Sequence, residues 1–333
     1  GFFDAVAAGV SRRLEYPARF LLVLMLATAG LSAFLNHDIV CFVFTPIIAE
    51  ALSRRQLDPV PFLVALAVAS NIGAGATLVG NPQGMMIAQI AGLAFAPYAA
   101  WSLVPVLFAL GGAYAIIWLL SRRGWGDIAA VRADTGAVAQ PLDRAHTVKG
   151  LVILVLVIGL FFTTLPKEIV ALTAAGIHLA SPKFRTKELL GLVDWPILVL
   201  FMSLFVVTGV FQATGYGDQA VLWLAHRGFE LSAPPNLVWV TATLSNLISN
   251  SAAVMLLLKV AHLSGPVAAY ALALANSFGG SLLIIGSVSN IIVVHQARER
   301  GIILSFWNFA RLGIPITLVA LGGLIGWEML MRS

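Results

Sequence analysis

The chain has 333 residues, of which 59% are hydrophobic and 11% are charged. Soluble domains have roughly 45–50% apolar and about 25% charged residues, so this composition excludes a soluble globular protein. Apolar runs of roughly 17–25 residues, long enough to cross a bilayer, recur along the whole chain. The sequence therefore predicts an all-α polytopic membrane protein rather than a series of globular domains.

The formal net charge of +5 does not indicate nucleic-acid binding, because the basic residues are confined to particular loops. On the topology described below, most of the 20 lysine and arginine residues lie on one side of the membrane. Basic loops are typically cytoplasmic, which predicts an integral protein of the cytoplasmic (inner) membrane of a prokaryote. The single cysteine, Cys41, excludes an internal disulfide and a cysteine-rich metal site, and we expect it to have a packing role.

The first half of the chain contains four predicted elements, which a polar loop follows. A short amphipathic segment comes first, and a helical hairpin interrupted at Asn36-His37-Asp38 comes next. The third element is an apolar helix with a long polar break, and the fourth is a closing span. In chain order these elements are Gly1–Leu14, Arg19–Leu52, Pro61–Phe95 and Trp101–Leu120, and the loop is Ser121–Lys149.

The second half repeats this order after three additional apolar elements. The three additional elements are Val148–Leu165, Ile169–Ala180 and Asp194–Phe211, and the repeated ones are Gly215–Glu230, Leu237–Leu263, Val267–Gln296 and Ile303–Leu330. The second hairpin is interrupted at Ser249-Asn250-Ser251. We expect a first repeat at 1–120, a cytoplasmic loop at 121–149 and a second repeat at 150–333. Because nothing precedes the first amphipathic segment, we also expect about three scaffold spans to be missing before Gly1.

The first hairpin, Arg19–Leu52, is too short to cross the bilayer twice. Each arm has about 15 residues, or roughly 23 Å of helix, against a hydrocarbon core of ~30 Å. Arg19, Arg54 and Arg55 flank the two outer ends, so both ends lie on the cytoplasmic side. This pattern predicts a re-entrant hairpin. An odd number of spans separates it from the hairpin around Asn250, so the second hairpin enters from the opposite side and the repeats are inverted.

Two long polar breaks match one another, one in each half. The stretches 65–83 and 271–290 align without a gap, and their polar residues leave groups that lipid cannot satisfy. Paired breaks of this kind are typical of the substrate site of a transporter. We expect the two hairpin tips and the two breaks to converge near the middle of the bilayer and to bind substrate and ion. The candidate residues are Asn36, His37, Asp38, Ser70, Asn71, Gly73, Thr77, Asn81, Ser249, Asn250, Ser251, Asn276, Ser277, Gly279, Ser287 and Asn290.

Two interpretations of these residues remain open. Helix ends at the tips present free backbone N–H groups that can bind an anion without a lysine, but small polar residues also allow helices to pack closely. Asp38 is the only carboxylate that we place at bilayer depth, where a charge costs ~2.5–3.5 kcal/mol on insertion scales. We therefore predict that Asp38 and His37 couple transport to protons. The alternative for Asp38 is that it caps the second arm of the hairpin.

Signals for an enzyme are absent from the sequence. The pair Gly75 and Gly80 has the spacing of a phosphate-binding loop, but Asn81 stands where that motif requires lysine. No His-Glu-x-x-His motif and no Gly-x-Ser-x-Gly elbow occurs, and His37-Asp38 has no nucleophile beside it. We therefore predict no catalytic residue, no cofactor and no catalytic metal.

At these positions the chain resembles the ion transporter superfamily, which includes arsenite permeases, NhaD-type antiporters, divalent-anion/sodium symporters and citrate-transporter-like domains. The resemblance extends from Gly1 to the C-terminus. Its specific motifs are Asn36-His37-Asp38-(x7)-Pro46, Ser70-Asn71-Ile-Gly73-(x3)-Thr77-Leu-x-Gly80-Asn81-Pro82-Gln83, Ile248-Ser249-Asn250-Ser251 and Gly286-Ser-x-x-Asn290.

The resemblance implies an elevator-type movement, in which the hairpins and broken helices carry substrate past a scaffold. In the symporters of this superfamily each tip carries Ser-Asn-Thr and helps to form a sodium and substrate site. Ser249-Asn250-Ser251 fits that pattern, whereas Asn36-His37-Asp38 has His in place of Asn and Asp in place of Thr. The first tip is more similar to the Asn-Asp tip of the arsenite permeases, and its titratable pair favours proton coupling.

We therefore expect a secondary active transporter for a small anion or an arsenite-like metalloid oxyacid, coupled to protons. The alternatives are a sodium-coupled di- or tricarboxylate or sulfate symporter, a sodium/proton antiporter, and a passive channel. Sodium would then lie near Ser249, Asn250 and Asn290. The expected partners are the solute and the lipid bilayer, and the sequence leaves a homodimer, the direction of transport and the stoichiometry open.

Overall fold

The computed structural model describes residues 16–125, 144–161, 167–179, 233–261 and 265–332, together with residue 263 and scattered single positions between 163 and 231. This part of the chain contains α-helices and two short 3₁₀ turns, with no strand. In chain order the helices are α1 Pro17–Ser32, α2 His37–Arg54, α3 Val60–Ala74, α4 Pro82–Ala91, α5 Phe95–Ser121, α6 Arg144–Phe161, α7 Lys167–Leu179, α8 Pro234–Ile248, α9 Asn250–Val260, α10 Pro266–Gly279, α11 Val288–Arg298 and α12 Phe306–Arg332.

Both predicted hairpin interruptions occur where the sequence places them. Helix α1 ends before a four-residue turn, and α2 begins at His37 with Asn36 as its N-cap. The Asn36 side chain accepts a hydrogen bond of 2.8 Å from the backbone N–H of Asp38. In the second half only Ser249 separates α8 from α9. Its φ of 112° is rare for a residue with a side chain and turns the chain sharply between the two helices.

The two breaks are shorter than the sequence predicts. Helix α3 continues to Ala74, so Ser70, Asn71 and Gly73 remain helical and the break covers residues 75–81. Within α3, the side-chain amide of Asn71 donates 3.0 Å back to the carbonyl of Ala67, one turn earlier.

The second break shows the same difference. Helix α10 continues to Gly279, so Asn276, Ser277 and Gly279 are helical, and the break runs from residue 280 to residue 287. A helix satisfies its own backbone groups, which favours extending each helical arm as far into the protein as the sequence allows.

Helices α3 and α10 form the centre of the molecule. Almost every residue of α3 is buried, and so is every residue of α10 from Ala268 to Gly279. A helix that is apolar on all sides belongs in a protein interior, and both sequences meet that condition. Cys41, in α2, is also fully buried, as expected for a packing residue, and its thiol lies beside the hydroxyls of Ser70 and Ser289.

The two repeats pack in equivalent ways. Helix α1 packs on α3 in the first repeat, and α8 packs on α10 in the second. Across the repeats, α4 contacts α9 and α11 contacts α2, so each broken helix reaches the second hairpin arm of the other repeat. Helices α5 and α12 pack together and against the central pair. The breaks and the tips therefore meet in the interior of the molecule.

Helices α5 and α12 are long and apolar enough to cross a membrane. The qualifying segments are Phe95–Gly124, of 30 residues, and Phe306–Met331, of 26 residues. The other apolar helices of the described residues are shorter, as expected for arms that a break or a tip interrupts.

Some predicted elements lie outside the described residues. They are Gly1–Leu14, most of the loop Ser121–Lys149, and Asp194–Phe211 and Gly215–Glu230 apart from scattered positions. The division into three domains stays a prediction. Helices α6 and α7 match the predicted elements Val148–Leu165 and Ile169–Ala180 within a few residues.

Two equivalent glycines allow the closest helix contacts. A Cβ on Gly73 would collide with the backbone of Ala29 in α1, and one on Gly279 would lie 2.9 Å from Cα of Ala242 in α8. Backbone atoms cannot move aside without separating the helices. Small residues of this kind are what permits close helix packing in membrane proteins.

We expect Gly73→Ala to destabilise the protein by about 1–3 kcal/mol, because the added methyl group overpacks a backbone contact. Gly279→Ala should have a smaller effect in the same direction. Gly30→Ala is the matched control, because a Cβ at this helical glycine meets nothing within 4 Å. Thermal denaturation in detergent checks the order of the three melting temperatures. A Gly73→Ala variant as stable as Gly30→Ala would contradict the packing described here.

Candidate substrate and ion site

One side-chain hydrogen bond joins each hairpin tip to the broken helix of the other repeat. The hydroxyl of Ser289 donates to Oδ1 of Asp38 at 2.6 Å. The amide Nε2 of Gln83 donates to Oγ of Ser251 at 2.8 Å. Gln83 and Ser289 occupy equivalent positions in the two aligned breaks, and Asp38 and Ser251 are each the third residue of a tip. The two repeats therefore make the same contact. Its acceptor is an ionisable carboxylate at the first tip and a neutral hydroxyl at the second.

The side chain of Asn290 connects the second break to the first repeat. Its Nδ2 donates to the carbonyls of Gly280 at 2.7 Å and Leu283 at 2.9 Å, both within the unwound segment. Its Oδ1 accepts a bond of 2.9 Å from Nδ2 of Asn71 in α3. Each polar atom of the Asn290 amide therefore has a partner, and the residue holds the second break in shape.

Asn81 makes a second connection between the two repeats. Its Nδ2 donates 2.9 Å to Oγ of Ser277 in α10. Its Oδ1 accepts from the backbone N–H of Gly84, which caps the start of α4. Like the side-chain amides of Asn71 and Asn290, that of Asn81 forms a hydrogen bond between the two repeats.

The first tip is anchored to α3 and to the first break. Oγ of Ser70 donates 3.0 Å to the backbone carbonyl of His37 and lies 3.0 Å from Oγ of Ser32. The hydroxyl of Thr77 donates to the carbonyl of Ala33 in the turn. Ser70 and Thr77 were predicted as binding residues, and the structure places both hydroxyls on the backbone of the tip.

Asp38 and His37 lie side by side at this tip. Nε2 of His37 is 3.6 Å from Oδ1 of Asp38, and the two side chains are 8% and 17% exposed. Asn36 rather than Asp38 caps α2, so the carboxylate is free to accept from Ser289. Among the described residues no lysine or arginine pairs with Asp38, and Nδ1 of His37 is buried without a hydrogen-bond partner. Asp38 therefore occupies a protein interior with neutral or titratable neighbours.

Buried oxygen atoms without hydrogen-bond partners gather in the second repeat. Of the predicted site residues, Asn250 and Asn276 each have an unpartnered Oδ1, and Ser287 has an unpartnered Oγ. Two residues that the sequence analysis did not select, Asn246 and Ser281, share this property. Buried polar atoms are normally paired, so these oxygens are candidate contacts for a solute or an ion.

Three predicted residues have mainly structural contacts. Gly73 and Gly279 provide the close helix crossings described above, and Ser249 is exposed and caps α9 through a bond from the N–H of Ala252. Conversely, Gln83 and Ser289 were not selected. The sequence could have indicated both residues, because Gln83 and Ser289 align with one another in the two halves. Residues that align in such repeats face equivalent partners.

A cavity of about 710 Å³ opens beside the first tip and the first break. Its polar lining comes from Asn36, Asn81 and Gln89. Apolar side chains of α4, α6 and α7, together with Phe34, Leu35 and Val79, form the remainder, and none of the described lining residues is charged. Among the described residues no group of three or more His, Cys, Asp and Glu side chains is placed to hold a metal ion.

Comparison with known proteins identifies the family. Residues 1–270 match the family model described as "Citrate transporter". The uncharacterized transporter MT2759 of Mycobacterium tuberculosis is 31% identical over 96% of this chain and 79% of the relative. The inner membrane protein YbiR of Escherichia coli is 29% identical over 99% of this chain and 82% of the relative. The silicon efflux transporter LSI3 of rice is 26% identical over 88% of this chain and 75% of the relative.

These relatives agree with the helical architecture and with the membrane location predicted from the basic loops. The protein is an integral protein of the inner membrane. It is a transporter and not an enzyme. The chain belongs to the citrate transporter family, within the ion transporter superfamily.

Proposed function

We propose that this protein is a secondary active transporter that moves a small, weakly charged oxyacid and couples its movement to protons through Asp38. The observation that carries the proposal is the position of Asp38. It is a largely buried carboxylate at the contact between the two repeats, and its neighbours there are Ser289 and His37. An ionisable group in the interior of a membrane transporter is costly and usually takes part in transport.

The unpartnered oxygens of the second repeat favour a solute that donates hydrogen bonds. The amide oxygens of Asn246, Asn250 and Asn276 can only accept, and each is buried without a donor. A protonated oxyacid presents several O–H donors to such atoms. A fully ionised carboxylate or sulfate presents only acceptors, which these oxygens repel.

The absence of basic residues in the site supports the same class of solute. Neither the tips, 36–38 and 249–251, nor the breaks, 75–81 and 280–287, contain a lysine or an arginine. A strongly charged anion would depend on helix ends, hydroxyl groups and side-chain amide N–H groups for its stabilisation, with no cationic side chain. The relative that is named for silicon efflux is consistent with a solute of this kind, since dissolved silicon is a weak oxyacid.

Asp38 gives the first tip a response to protons that the second tip lacks. As a carboxylate it accepts the hydrogen bond of Ser289, and when protonated it also carries a donor. Protonation therefore changes the contact between α2 and α11, whereas the equivalent contact of Gln83 with Ser251 does not titrate. Nε2 of His37 lies 3.6 Å from the same carboxylate oxygen.

For the movement, we propose that both helical hairpins are re-entrant and that the repeats are inverted. The arms α1 and α8 have 16 and 15 residues, or about 24 and 23 Å of helix, against a hydrocarbon core of ~30 Å. The hairpins and broken helices would then move together past α5, α12 and the remaining scaffold, in an elevator-type movement. The cross-repeat contacts between α2 and α11 and between α4 and α9 support a common moving unit.

The second candidate function is sodium-coupled symport of a di- or tricarboxylate or sulfate, or sodium/proton antiport. The unpartnered oxygens near Asn250 favour it, because oxygen atoms at broken helices also coordinate sodium. Asn290 is a weaker ligand candidate, since its amide is already engaged with Gly280, Leu283 and Asn71.

We expect Asp38→Asn to abolish accumulation driven by a pH gradient. One proton coupled to a one-unit gradient supports roughly a tenfold concentration ratio, because 1.4 kcal/mol corresponds to a factor of 10. The variant in proteoliposomes should reach a ratio near one with arsenite as the solute. Asp58→Asn is the matched control, because Asp58 is exposed and its Oδ1 accepts from the N–H of Val60, as an asparagine oxygen also would.

Unchanged accumulation by Asp38→Asn would overturn the assignment of Asp38. Solute exchange without a gradient, together with the melting temperature, reports whether the variant still folds and binds. A variant that still exchanges solute but no longer accumulates it is folded and has lost only its coupling to protons.

We expect solute binding to depend on pH and to be independent of sodium. A ligand that binds the folded state raises the melting temperature by mass action. The measurement is a thermal-shift series with arsenite, antimonite, sulfate, phosphate, citrate, succinate and malate, at two pH values, in sodium or choline chloride. Stabilisation by a carboxylate that requires sodium would favour the second candidate function instead.

A further inference from the structure

A second cavity lies at the end of the molecule where α5 finishes and where α3 and α12 begin. Its volume is about 340 Å³, and its polar lining includes Asp58, Ser121, Trp125 and Arg311. Among the described residues it shares no lining residue with the cavity beside the first tip, and none of its lining residues belongs to a tip or a break. It is therefore separate from the candidate substrate and ion site.

Arginine residues concentrate at this end of the helices. Arg122 and Arg123 follow α5 and are exposed, Arg298 is the last residue of α11, and Arg300 lies in the loop that leads to α12. Segments with such an excess of arginine are typical of the cytoplasmic side. The cavity therefore opens at the cytoplasmic leaflet, whose anionic phospholipids attract basic groups.

Arg311 is the cationic side chain of this cavity. It is exposed, and the ion pairs of the described residues do not include it. Asp58 is the acidic residue of the lining, and its Oδ1 accepts a hydrogen bond of 3.0 Å from the N–H of Val60. Arg122 and Arg123, in the turn that also lines the cavity, add positive charge beside Arg311. The guanidinium groups outnumber the carboxylate, so the cavity favours an anion.

The indole of Trp125 supplies a buried hydrogen-bond donor. Its side chain is 7% exposed, and its ring stacks on Phe62 of α3 with the ring centroids 5.5 Å apart. Its Nε1, which can only donate, is buried without a hydrogen-bond partner. Buried donors normally have an acceptor. A phosphate oxygen in this cavity would be such an acceptor.

The helix surfaces beside the cavity suit an acyl chain. Ile314 and Leu318 follow Arg311 on one face of α12, at the spacing of three and seven residues. They are 40% and 48% exposed, and Leu318 lies about 10 Å further along the helix axis, toward the hydrocarbon core. On α5, Leu120 lines the cavity and is 44% exposed. A positive, donor-bearing cavity thus continues into an apolar surface.

We propose that this cavity binds the phosphate group of an anionic phospholipid from the cytoplasmic leaflet, with the acyl chains on the exposed faces of α5 and α12. Arg311 and Trp125 contact the phosphate oxygens, and the lipid connects the ends of α3, α5 and α12. Inorganic phosphate has the same charge but no apolar part, so it lacks half of these contacts. The site does not depend on which solute the protein transports.

The experiment measures lipid binding to the purified full-length protein in detergent. Titration with phosphatidylglycerol, followed by native mass spectrometry, gives the dissociation constant of the first bound lipid. Arg311→Gln and Trp125→Phe should each raise that constant about fivefold or more, because each removes one contact to an anion. The phenyl ring of Trp125→Phe keeps an aromatic contact with Phe62, so this variant tests the indole N–H.

Two matched variants control for the change of charge and of residue type. Arg300→Gln removes the same charge from the same side of the membrane, at a residue outside the lining. Trp307→Phe makes the same replacement at a tryptophan that is 77% exposed and also outside the lining. Both should bind phosphatidylglycerol like the wild type.

An Arg311→Gln protein with the wild-type constant would overturn the proposal. A wild type that binds diacylglycerol, which has the chains without the phosphate, as tightly as phosphatidylglycerol would do the same. If glycerol 3-phosphate binds as tightly as the lipid, the cavity takes a soluble phosphate and the assignment to a lipid is wrong. Melting temperatures without lipid report whether each variant folds, and Arg311→Gln decides alone if Trp125→Phe does not.

Discussion

The hydrogen bonds of Asn290 are the interaction on which the arrangement of the two repeats depends. When α10 unwinds after Gly279, carbonyl groups in the interior lose their helical partners, and lipid offers no replacement. Asn290 donates to two of these carbonyls, those of Gly280 and Leu283, and accepts from Asn71 of the other repeat. One side chain therefore satisfies the broken backbone and ties it to the opposite half.

The two repeats share a framework but differ in the chemistry of their tips. Gly73 and Gly279 bring equivalent helices into contact, and Gln83 and Ser289 reach equivalent positions on the opposite tips. At the first tip the acceptor is the carboxylate of Asp38. At the second tip it is the hydroxyl of Ser251. An ionisable group therefore occurs in only one of the two matched contacts.

The buried side-chain oxygens without hydrogen-bond partners are also distributed unevenly between the two repeats. The first tip is held by Ser70 and Thr77, whose hydroxyls donate to its backbone. The second repeat leaves oxygens of Asn246, Asn250, Asn276, Ser281 and Ser287 buried without partners. The first tip thus carries the ionisable pair and one unpartnered atom, Nδ1 of His37, whereas five unpartnered oxygens of the described residues lie in these segments of the second repeat. This division supports a coupling group and a solute contact on different sides of one site.

The sequence by itself determined the class of protein, the positions of both hairpin interruptions, and the pairing of the breaks. Apolar composition and polar residues at equivalent places in two halves decide these features, because unsatisfied polar groups are costly in an apolar medium. The alignment of the repeats also contained the equivalence of Gln83 and Ser289, although their partners were not evident from it.

Only the tertiary structure decided which atom each polar side chain meets. Ser70, Thr77 and Asn81 have the same residue types as binding groups, yet they bond to backbone or to the other repeat. The extent of the breaks was also a tertiary outcome, since Asn71, in the last turn of α3, donates to Asn290 of the other repeat. Hydrogen-bond partners far apart in the chain depend on the packing of four separate segments, and no local pattern records that packing.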